Sequence, residues 1–259
     1  MLKKRYASRK IRGKLKVCRY LSANGWLKSH VPDTIAFSLP NLELMAGRYD
    51  MLYIKPDVGS MGIGISMLKR TEEGYELFKI VGKGQLHERF ESLQGVYDRL
   101  AAPRTIPLII QQGITLDRVH DRPYDIRVMV QRMPRGAWVC TGFMVKVGAG
   151  DKIVTNYYQG GALYTMAMLG RGKGMTRQEL ASRVRGLAGK ALQVARTLSR
   201  RQPGMREMGI DFAFDEQQRL WVLEVNSNHP QFHPMKTLDR RAYNRMMRFA
   251  ASYGRRSAK

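Results

Sequence analysis

Two carboxylates and one amide in the last third of the chain have types and spacing suited to binding a metal ion. Asp211 lies in one segment of alternating apolar residues, and Glu224 and Asn226 lie in the next such segment. Polar residues 215–218 separate the two segments, so the pattern predicts a β-hairpin with acidic side chains on one side of its sheet. Carboxylate and amide oxygens suit Mg²⁺, usually with phosphate completing the coordination shell. The hairpin therefore predicts the metal end of a nucleotide site.

A glycine-rich loop earlier in the chain is a candidate for the phosphate end of the same site. The apolar run 51–54 predicts a buried strand, Lys55 follows it directly, and glycines recur from Gly59 to Gly64. Glycines let backbone N–H groups approach an anion, and a lysine fixed at a strand end can contact phosphate oxygens. The loop matches neither the Walker pattern nor the dinucleotide pattern. Taken alone, it is explained equally well as the turn of a hairpin.

A third candidate lies on the segment 124–131, which alternates cleanly and predicts a strand paired with 137–147. Asp125 and Arg127 fall on one face of that strand and three aliphatic residues fall on the other. The charged face has two explanations, a ligand-facing surface or a solvated strand face with a weak ion pair.

Helical spacing predicts the elements that position these strands. An amphipathic helix is predicted at 14–25 and another at 87–101. The longest helix is predicted at 176–202, opening with a capping box of Thr176 and Glu179, and a basic helix is predicted at 238–253. These helices are expected to be structural.

The composition places limits on the class of protein. The 259 residues have an ordinary apolar fraction of 44% but a net charge of +24, with basic residues concentrated at both ends. The charge predicts attraction to polyanions, and the basic ends are explained equally well as solvated or frayed segments. No apolar run is long enough to span a membrane, which favours a cytoplasmic protein. The two cysteines are expected to be reduced, and His229 and His233 are interpreted as loop residues rather than zinc ligands.

Four motifs in this order resemble the ATP-grasp superfamily, and more narrowly the YheC/YheD endospore coat-associated family. They are IKPDVGSMGIGI at 54–65, YDIRVMVQ at 124–131, TNYYQGG at 155–161, and GIDF through LEVNSNHP within 209–230. The resemblance covers roughly residues 14–235. It implies an α+β fold with two α+β subdomains whose antiparallel sheets enclose the nucleotide. The separate domain that precedes the grasp fold in many members is expected to be largely absent.

The resemblance also implies a domain division and residue roles. The division is a basic segment with a linker helix at 1–34, a lid at 35–110, a metal and nucleotide subdomain at 111–235, and a basic helix and tail at 236–259. Lys55 and Arg127 resemble the catalytic cations near the ATP phosphates, and Asp211, Glu224 and Asn226 resemble the metal ligands. The remaining nucleotide-binding positions are Gly59, Ser60, Met61, Gly62 and Gly64 in the loop, Gln111, Gln112, Gly113 and Ile114 at the adenine hinge, and Asn156. An acidic residue is usual at the hinge, where this chain has Gln111 and Gln112.

The function implied by the resemblance is that of an ATP-dependent ligase using Mg²⁺, or Mn²⁺. It would join an unidentified carboxylate or acidic acceptor to an amine or thiol through an acyl-phosphate. The alternative is an ATP-binding, spore coat-associated protein with little or no turnover. Nucleic acid is an unfavoured partner, because the chain has no RNP-type aromatic strand and no zinc-finger spacing.

Overall fold

The computed structural model describes residues 4–59, 61–101, 105–150, 152–155 and 157–259, and these form two antiparallel sheets with helices packed against them. The first part of the chain contains α1 (Lys14–Ser22), α2 (Gly25–Lys28), β1 (Thr34–Ala36), α3 (Leu39–Ala46), β2 (Met51–Pro56), β3 (Ser66–Thr71), β4 (Gly74–Val81), β5 (Gly84–Phe90), α4 (Leu93–Leu100) and β6 (Leu108–Gln112). The second part contains β7 (Arg118–Val119), β8 (Arg122–Gln131), β9 (Val139–Val147), β10 (Ala162–Tyr164), α5 (Met166–Gly172), α6 (Arg177–Arg201), β11 (Glu207–Phe214), β12 (Leu220–Asn226), α7 (Met235–Leu238) and α8 (Arg240–Ser252).

The first sheet has the strand order β1-β6-β2-β3-β4-β5. Its core is made by strand residues such as Leu52 and Leu77 together with Leu42 of α3 and Val96 of α4. Each of these two helices begins at a serine whose hydroxyl accepts a hydrogen bond from the first turn. The sheet therefore buries one face under α3 and α4.

The predicted helix at 87–101 is wrong over its first part. Residues 84–90 instead form β5, which pairs with β4 along seven registered positions. A turn at Gly82, with φ of +59°, brings the two strands together, and Ser92 starts the helix only at Leu93. Phe90 has helical spacing relative to Leu93 and Tyr97, but cross-strand pairing determines its conformation.

The second sheet has the order β10-β9-β8-β11-β12, with β7 paired to β8. The predicted alternation of β8 is confirmed: Ile126, Val128 and Val130 are fully buried in the main core, facing α6. The predicted capping box at Thr176 is confirmed as well, and α6 buries the expected apolar stripe. Helices α1 and α2 contribute to this same core.

The first sheet is an insertion between elements that belong to the second core. Helix α2 leads into β1, and β6 leads out again toward β7. These two connections, the crossings at Asp33 and Gln112, are hydrogen-bonded to each other. The Gln112 N–H donates to the Asp33 carbonyl at 2.8 Å, and the Asp33 N–H donates to Gln112 Oε1 at 3.3 Å. Entry to and exit from the first sheet therefore lie side by side.

The basic segments near both ends of the described chain are packed rather than frayed, although most of their lysine and arginine side chains are exposed to solvent. Glu207 of β11 is fully buried and accepts hydrogen bonds from the Tyr6 hydroxyl, the Tyr253 hydroxyl at 2.9 Å and Arg255 Nη1 at 2.7 Å. Lys4 Nζ lies 3.3 Å from the same carboxylate. This carboxylate thus fixes both segments against the second sheet. Across the described residues, no helix is both long and apolar enough to cross a bilayer.

Candidate functional site

A cavity of 1360 Å³ lies between the two sheets and contains most of the predicted site residues. Its lining includes the loop after β2, the hinge after β6 and the facing side chains of β8, β9, β11 and β12. The predicted residues on its wall are Lys55, Gly59, Met61, Gly62, Gln111, Gln112, Ile114, Arg127, Asp211, Glu224 and Asn226. Gly64 and Gly113 do not line it. Ser60 and Asn156 lie outside the described residues.

Lys55 extends into this cavity from the end of β2. Its side chain is only 8% exposed, and its Nζ donates to Gln111 Oε1 at 2.6 Å. Gln111 is oriented in turn because its amide donates to Thr34 Oγ1 at 2.9 Å. Burial lowers the pKa of Lys55, although Glu224 opposes that change. The side chain of Gln111 therefore orients the lysine, and the adenine contact implied for the hinge, which involves backbone groups, stays a prediction.

The glycine-rich loop takes backbone conformations that favour glycine. Met61, Gly62 and Gly64 all have φ between +63° and +73°. The Gly59 carbonyl accepts a hydrogen bond from Lys14 Nζ at 3.1 Å, and the Met61 carbonyl accepts one from the Gln159 amide at 3.4 Å. The loop is thus connected to both neighbouring segments.

The hinge residues after β6 divide into two groups. Gln112 and Ile114 face the cavity, whereas Gly113 packs against β2 and donates its N–H to the Met51 carbonyl at 2.8 Å. A Cβ at position 113 would lie 2.6 Å from that carbonyl oxygen, so only glycine fits there without movement.

Arg127 and Asp211 form a buried bidentate ion pair at the base of the cavity. Arg127 Nε and Nη2 donate to the two carboxylate oxygens of Asp211, each at 2.7 Å. Lys146 of β9 lies 3.2 Å from Asp211 and 2.8 Å from Asp125, and Thr155 donates its hydroxyl to Asp125. Two cations and two carboxylates therefore balance each other within this cluster.

The two carboxylates of the cluster have opposite pKa changes. Burial would raise the pKa of Asp211, but the charges of Arg127 and Lys146 exceed this effect and lower it to about 2. Burial raises the pKa of Asp125, and Lys146 only partly opposes it. Asp211 is thus firmly held as an anion.

Glu224 and Asn226 are the predicted metal ligands that remain available to a ligand in the cavity. The register pairs Asp211 with Glu224 and Gly209 with Asn226, with a bulge directly after Asp211. The Glu224 side chain is 28% exposed and lies 3.3 Å from Lys14 Nζ. Among the described residues, the Asn226 side chain has no hydrogen-bond partner. One carboxylate and one amide oxygen facing the cavity fit a hard cation that takes its other ligands from phosphate.

Asp211 differs from these two because Arg127 already binds both of its oxygens. In addition, no cluster of three His, Cys, Asp or Glu side chains with the geometry of a metal site occurs in the described part of the chain. A metal at this site would therefore be held by Glu224, Asn226 and a bound ligand, while Asp211 stays paired with Arg127.

Three further cavity residues lie outside the predicted site residues. Lys14 begins α1 and contacts both the glycine-rich loop and Glu224. Lys146 is paired with Asp125 in the β8–β9 register, so the predicted hairpin contained the signal for it. Gln159 is 1% exposed, and its amide donates to the carbonyls of Met61 and Gly82, which joins the segment 157–161 to the first sheet. Lys14 had no signal in its own neighbourhood of the sequence, whereas Gln159 belongs to the TNYYQGG motif at 155–161.

Comparison with known proteins agrees with this architecture. The profile of a family described as "YheC/D like ATP-grasp" matches residues 3–254. The chain is 28% identical to the endospore coat-associated protein YheD of Bacillus subtilis (strain 168), over 78% of this chain and 47% of that protein. The chain therefore spans about half the length of this curated relative.

Two solved structures have a similar fold. The ATP-grasp ligase PsnB, complexed with a minimal precursor, matches with a TM-score of 0.53 and 14% identity over 93% of this chain and 60% of its own. The C-terminal domain of K. lactis Pby1, an ATP-grasp enzyme that interacts with the decapping enzyme Dcp2, matches with a TM-score of 0.51 and 14% identity over 90% of this chain and 68% of its own. These likenesses show the predicted α+β ATP-grasp fold with its antiparallel sheets.

Proposed function

Because the chain belongs to the YheC/D-like ATP-grasp family, we propose that it binds ATP between its two sheets and uses it to activate a carboxylate. The observation that supports this proposal most strongly is the shared cavity. Lys55 and the glycine-rich loop approach it from one sheet, and Arg127, Glu224 and Asn226 approach it from the other. A nucleotide there would meet cations, backbone N–H groups and metal ligands together.

The proposed reaction has two steps. An oxygen of the acceptor carboxylate attacks the γ-phosphorus of ATP, the bond to the β-phosphate oxygen breaks, and ADP leaves. The amine nitrogen, or a thiol sulfur, then attacks the carbonyl carbon of the acyl-phosphate, loses its proton and expels phosphate. Lys55 and Arg127 stabilise the negative charge on the transferred phosphoryl group. Mg²⁺ or Mn²⁺, held by Glu224 and Asn226, would supply further charge neutralisation when bound.

An acidic acceptor fits the charge of the cavity. Among its described lining residues are nine lysines and arginines but only four aspartates and glutamates. Lys10 and Arg12 line the cavity, are exposed, and have no carboxylate partner among the described residues. The aspartates and glutamates of the lining therefore neutralise only part of its positive charge. We propose that the acceptor carries negative charge for this reason.

A thermal unfolding assay with Mg-ATP tests nucleotide binding. A ligand that binds only the native state at 100 times its Kd stabilises a protein by about 2.7 kcal/mol, or a Tm rise of roughly 5–10 °C for a chain of this size. Glu224→Gln should remove the part of this rise that depends on Mg²⁺, whereas Glu216→Gln, in the exposed turn of the same hairpin, should retain it. A Tm that millimolar Mg-ATP does not raise would refute nucleotide binding.

The runner-up function is an ATP-binding, coat-associated protein with little or no turnover. Two observations favour it: Arg127 occupies both oxygens of Asp211, and the relative matched over most of this chain is named as endospore coat-associated. ADP release that requires both a carboxylate and an amine or thiol would favour the ligase. Mg-ATP binding without ADP release across a broad acceptor screen would favour the coat protein.

A further inference from the structure

Trp26 is displayed to solvent on a short helix that is fixed in position. Its side chain is 80% exposed, the highest fraction among large apolar side chains of the described residues. The side chain of Asn24 holds this turn in place. Its Oδ1 accepts a hydrogen bond from the backbone N–H of Trp26 at 3.0 Å, and its Nδ2 donates to Thr197 Oγ1 of α6 at 3.0 Å. The indole is therefore presented by an anchored turn.

Basic side chains share the surface around this turn. Thr197 and Arg201 lie one helical turn apart on α6 and face α1 and α2, as shown by the Asn24 contact and by Arg201 Cζ lying 5.7 Å from the centre of the Tyr20 ring. We name as the Trp26 face the indole together with the exposed side chains of Lys16, Arg19, Lys28, Arg196, Arg200 and Arg201.

The Trp26 face has no acidic side chains of its own. Residues 1–32 contain no Asp or Glu, and neither do residues 180–206. Among the described residues, none of the six cations forms an ion pair with a carboxylate. Their charge is therefore available to an external anion.

We propose that the Trp26 face binds the surface of an anionic phospholipid bilayer. Lysine and arginine side chains near an anionic leaflet are attracted to its negative surface potential. A tryptophan ring, which is apolar with one N–H donor, favours the interfacial region of a bilayer. One projecting indole among cations matches a planar charged interface.

The aromatic content of the face argues against a nucleic acid. Single-stranded nucleic acids bind by stacking successive bases on several open aromatic rings. Tyr20 is the other ring here, and it is half-buried, with Lys16 Nζ at 5.8 Å and Arg201 Cζ at 5.7 Å from its centre. Only Trp26 offers an open ring.

The Trp26 face lies away from the cavity. Helix α6 packs on the side of the second sheet that carries Ile126 and Val128, whereas Arg127 faces the cavity on the other side. A bilayer bound by this face would leave the cavity accessible.

Vesicle binding tests the proposal directly because the fluorescence of Trp26 reports on its environment. The other two tryptophans, Trp138 and Trp221, are 7% and 6% exposed. We expect the full chain to sediment with vesicles of phosphatidylcholine and phosphatidylglycerol at least about tenfold more strongly than with phosphatidylcholine alone. A blue shift of tryptophan emission should accompany binding, and Trp26→Ala should remove that shift.

A matched pair of variants separates this face from the general positive charge. Arg19→Glu/Arg196→Glu/Arg200→Glu should reduce vesicle binding at least about tenfold. Arg241→Glu/Arg245→Glu/Arg248→Glu makes the same change in net charge on exposed positions of α8 and should bind vesicles as the native chain does. Circular dichroism and thermal unfolding check that both variants fold.

Three results would overturn the proposal. They are equal loss of vesicle binding in the two triple variants, binding without any change in Trp26 emission, and absence of vesicle binding, whether or not Trp26 mediates an interaction with single-stranded RNA.

Discussion

Replacing Asp211 by asparagine should destabilise the protein much more than replacing Glu224 by glutamine. Both residues belong to the predicted metal set, and they face each other across β11 and β12. Asp211, however, is 4% exposed and accepts two hydrogen bonds of 2.7 Å from Arg127. Asp211→Asn removes the carboxylate charge and would leave the buried guanidinium of Arg127 without its bidentate counter-ion.

The size of the effect follows from the ion pair. Lowering the pKa of Asp211 from 3.8 to about 2 corresponds to roughly 2–3 kcal/mol, at about 1.36 kcal/mol per pKa unit. Breaking a buried ion pair by removing one partner typically costs about 3–5 kcal/mol. At roughly 2–4 °C per kcal/mol, a loss of about 3 kcal/mol lowers the Tm by roughly 6–12 °C.

Glu224→Gln is the matched control. The Glu224 side chain is 28% exposed and has a single cation, Lys14, at 3.3 Å. A partly exposed pair of this kind contributes at most about 1 kcal/mol. The Tm of Glu224→Gln should therefore lie within roughly 4 °C of the native value.

Urea unfolding of the native chain, both single variants, Arg127→Met and the double variant Arg127→Met/Asp211→Asn measures the coupling. The two substitutions should be less than additive by at least about 1 kcal/mol, because each one alone leaves a buried charge. The reasoning is refuted if Asp211→Asn unfolds at the native urea concentration, or if Glu224→Gln is destabilised as much as Asp211→Asn.

Three more outcomes are expected. The difference in unfolding free energy between the native chain and Asp211→Asn should be complete above about pH 4 and should disappear as the pH falls through about 2, because the folded-state pKa of this carboxyl is lowered; urea titrations at several pH values measure it. Lys55→Met should fold yet lose most of the Mg-ATP-dependent rise in Tm, because this lysine is the buried cation beside the glycine-rich loop, and calorimetric titration would check the loss of affinity. Glu207→Gln should cost about 3 kcal/mol or more because it leaves Arg255 buried without a full counter-charge, whereas Glu216→Gln should unfold at the native urea concentration.

The parts of the fold that local patterns determine were predictable. The alternation of β8 places its aliphatic residues on one face, so it identified Ile126 and Val128 as core residues and set Arg127 on the other face. The capping box at Thr176 is a contact between near neighbours and is equally visible in the sequence. The glycine-rich loop and the β11–β12 hairpin indicated a nucleotide site only in combination with the other motifs.

The parts that long-range contacts determine were not predictable. The Arg127–Asp211 pair joins residues 84 positions apart, and it forms because β8 and β11 are neighbours in a sheet order that differs from the chain order. Lys14 reaches Glu224 from the start of a predicted helix that was expected to be structural. Phe90 fits both a helical stripe and a strand, and only the pairing of β5 with β4 decides between them.

The paired crossings at Asp33 and Gln112 make the first sheet a removable insertion. Since the two residues are hydrogen-bonded to each other, a chain lacking 34–111 has its cut ends already adjacent, and one or two glycines could rejoin them. That shortened chain would lack Lys55 and the glycine-rich loop but would retain Arg127 and Glu224. For the same reason, the covalent links between the two sheets lie at one place, and hydrogen bonds such as those of Lys14 and Gln159 join the sheets elsewhere.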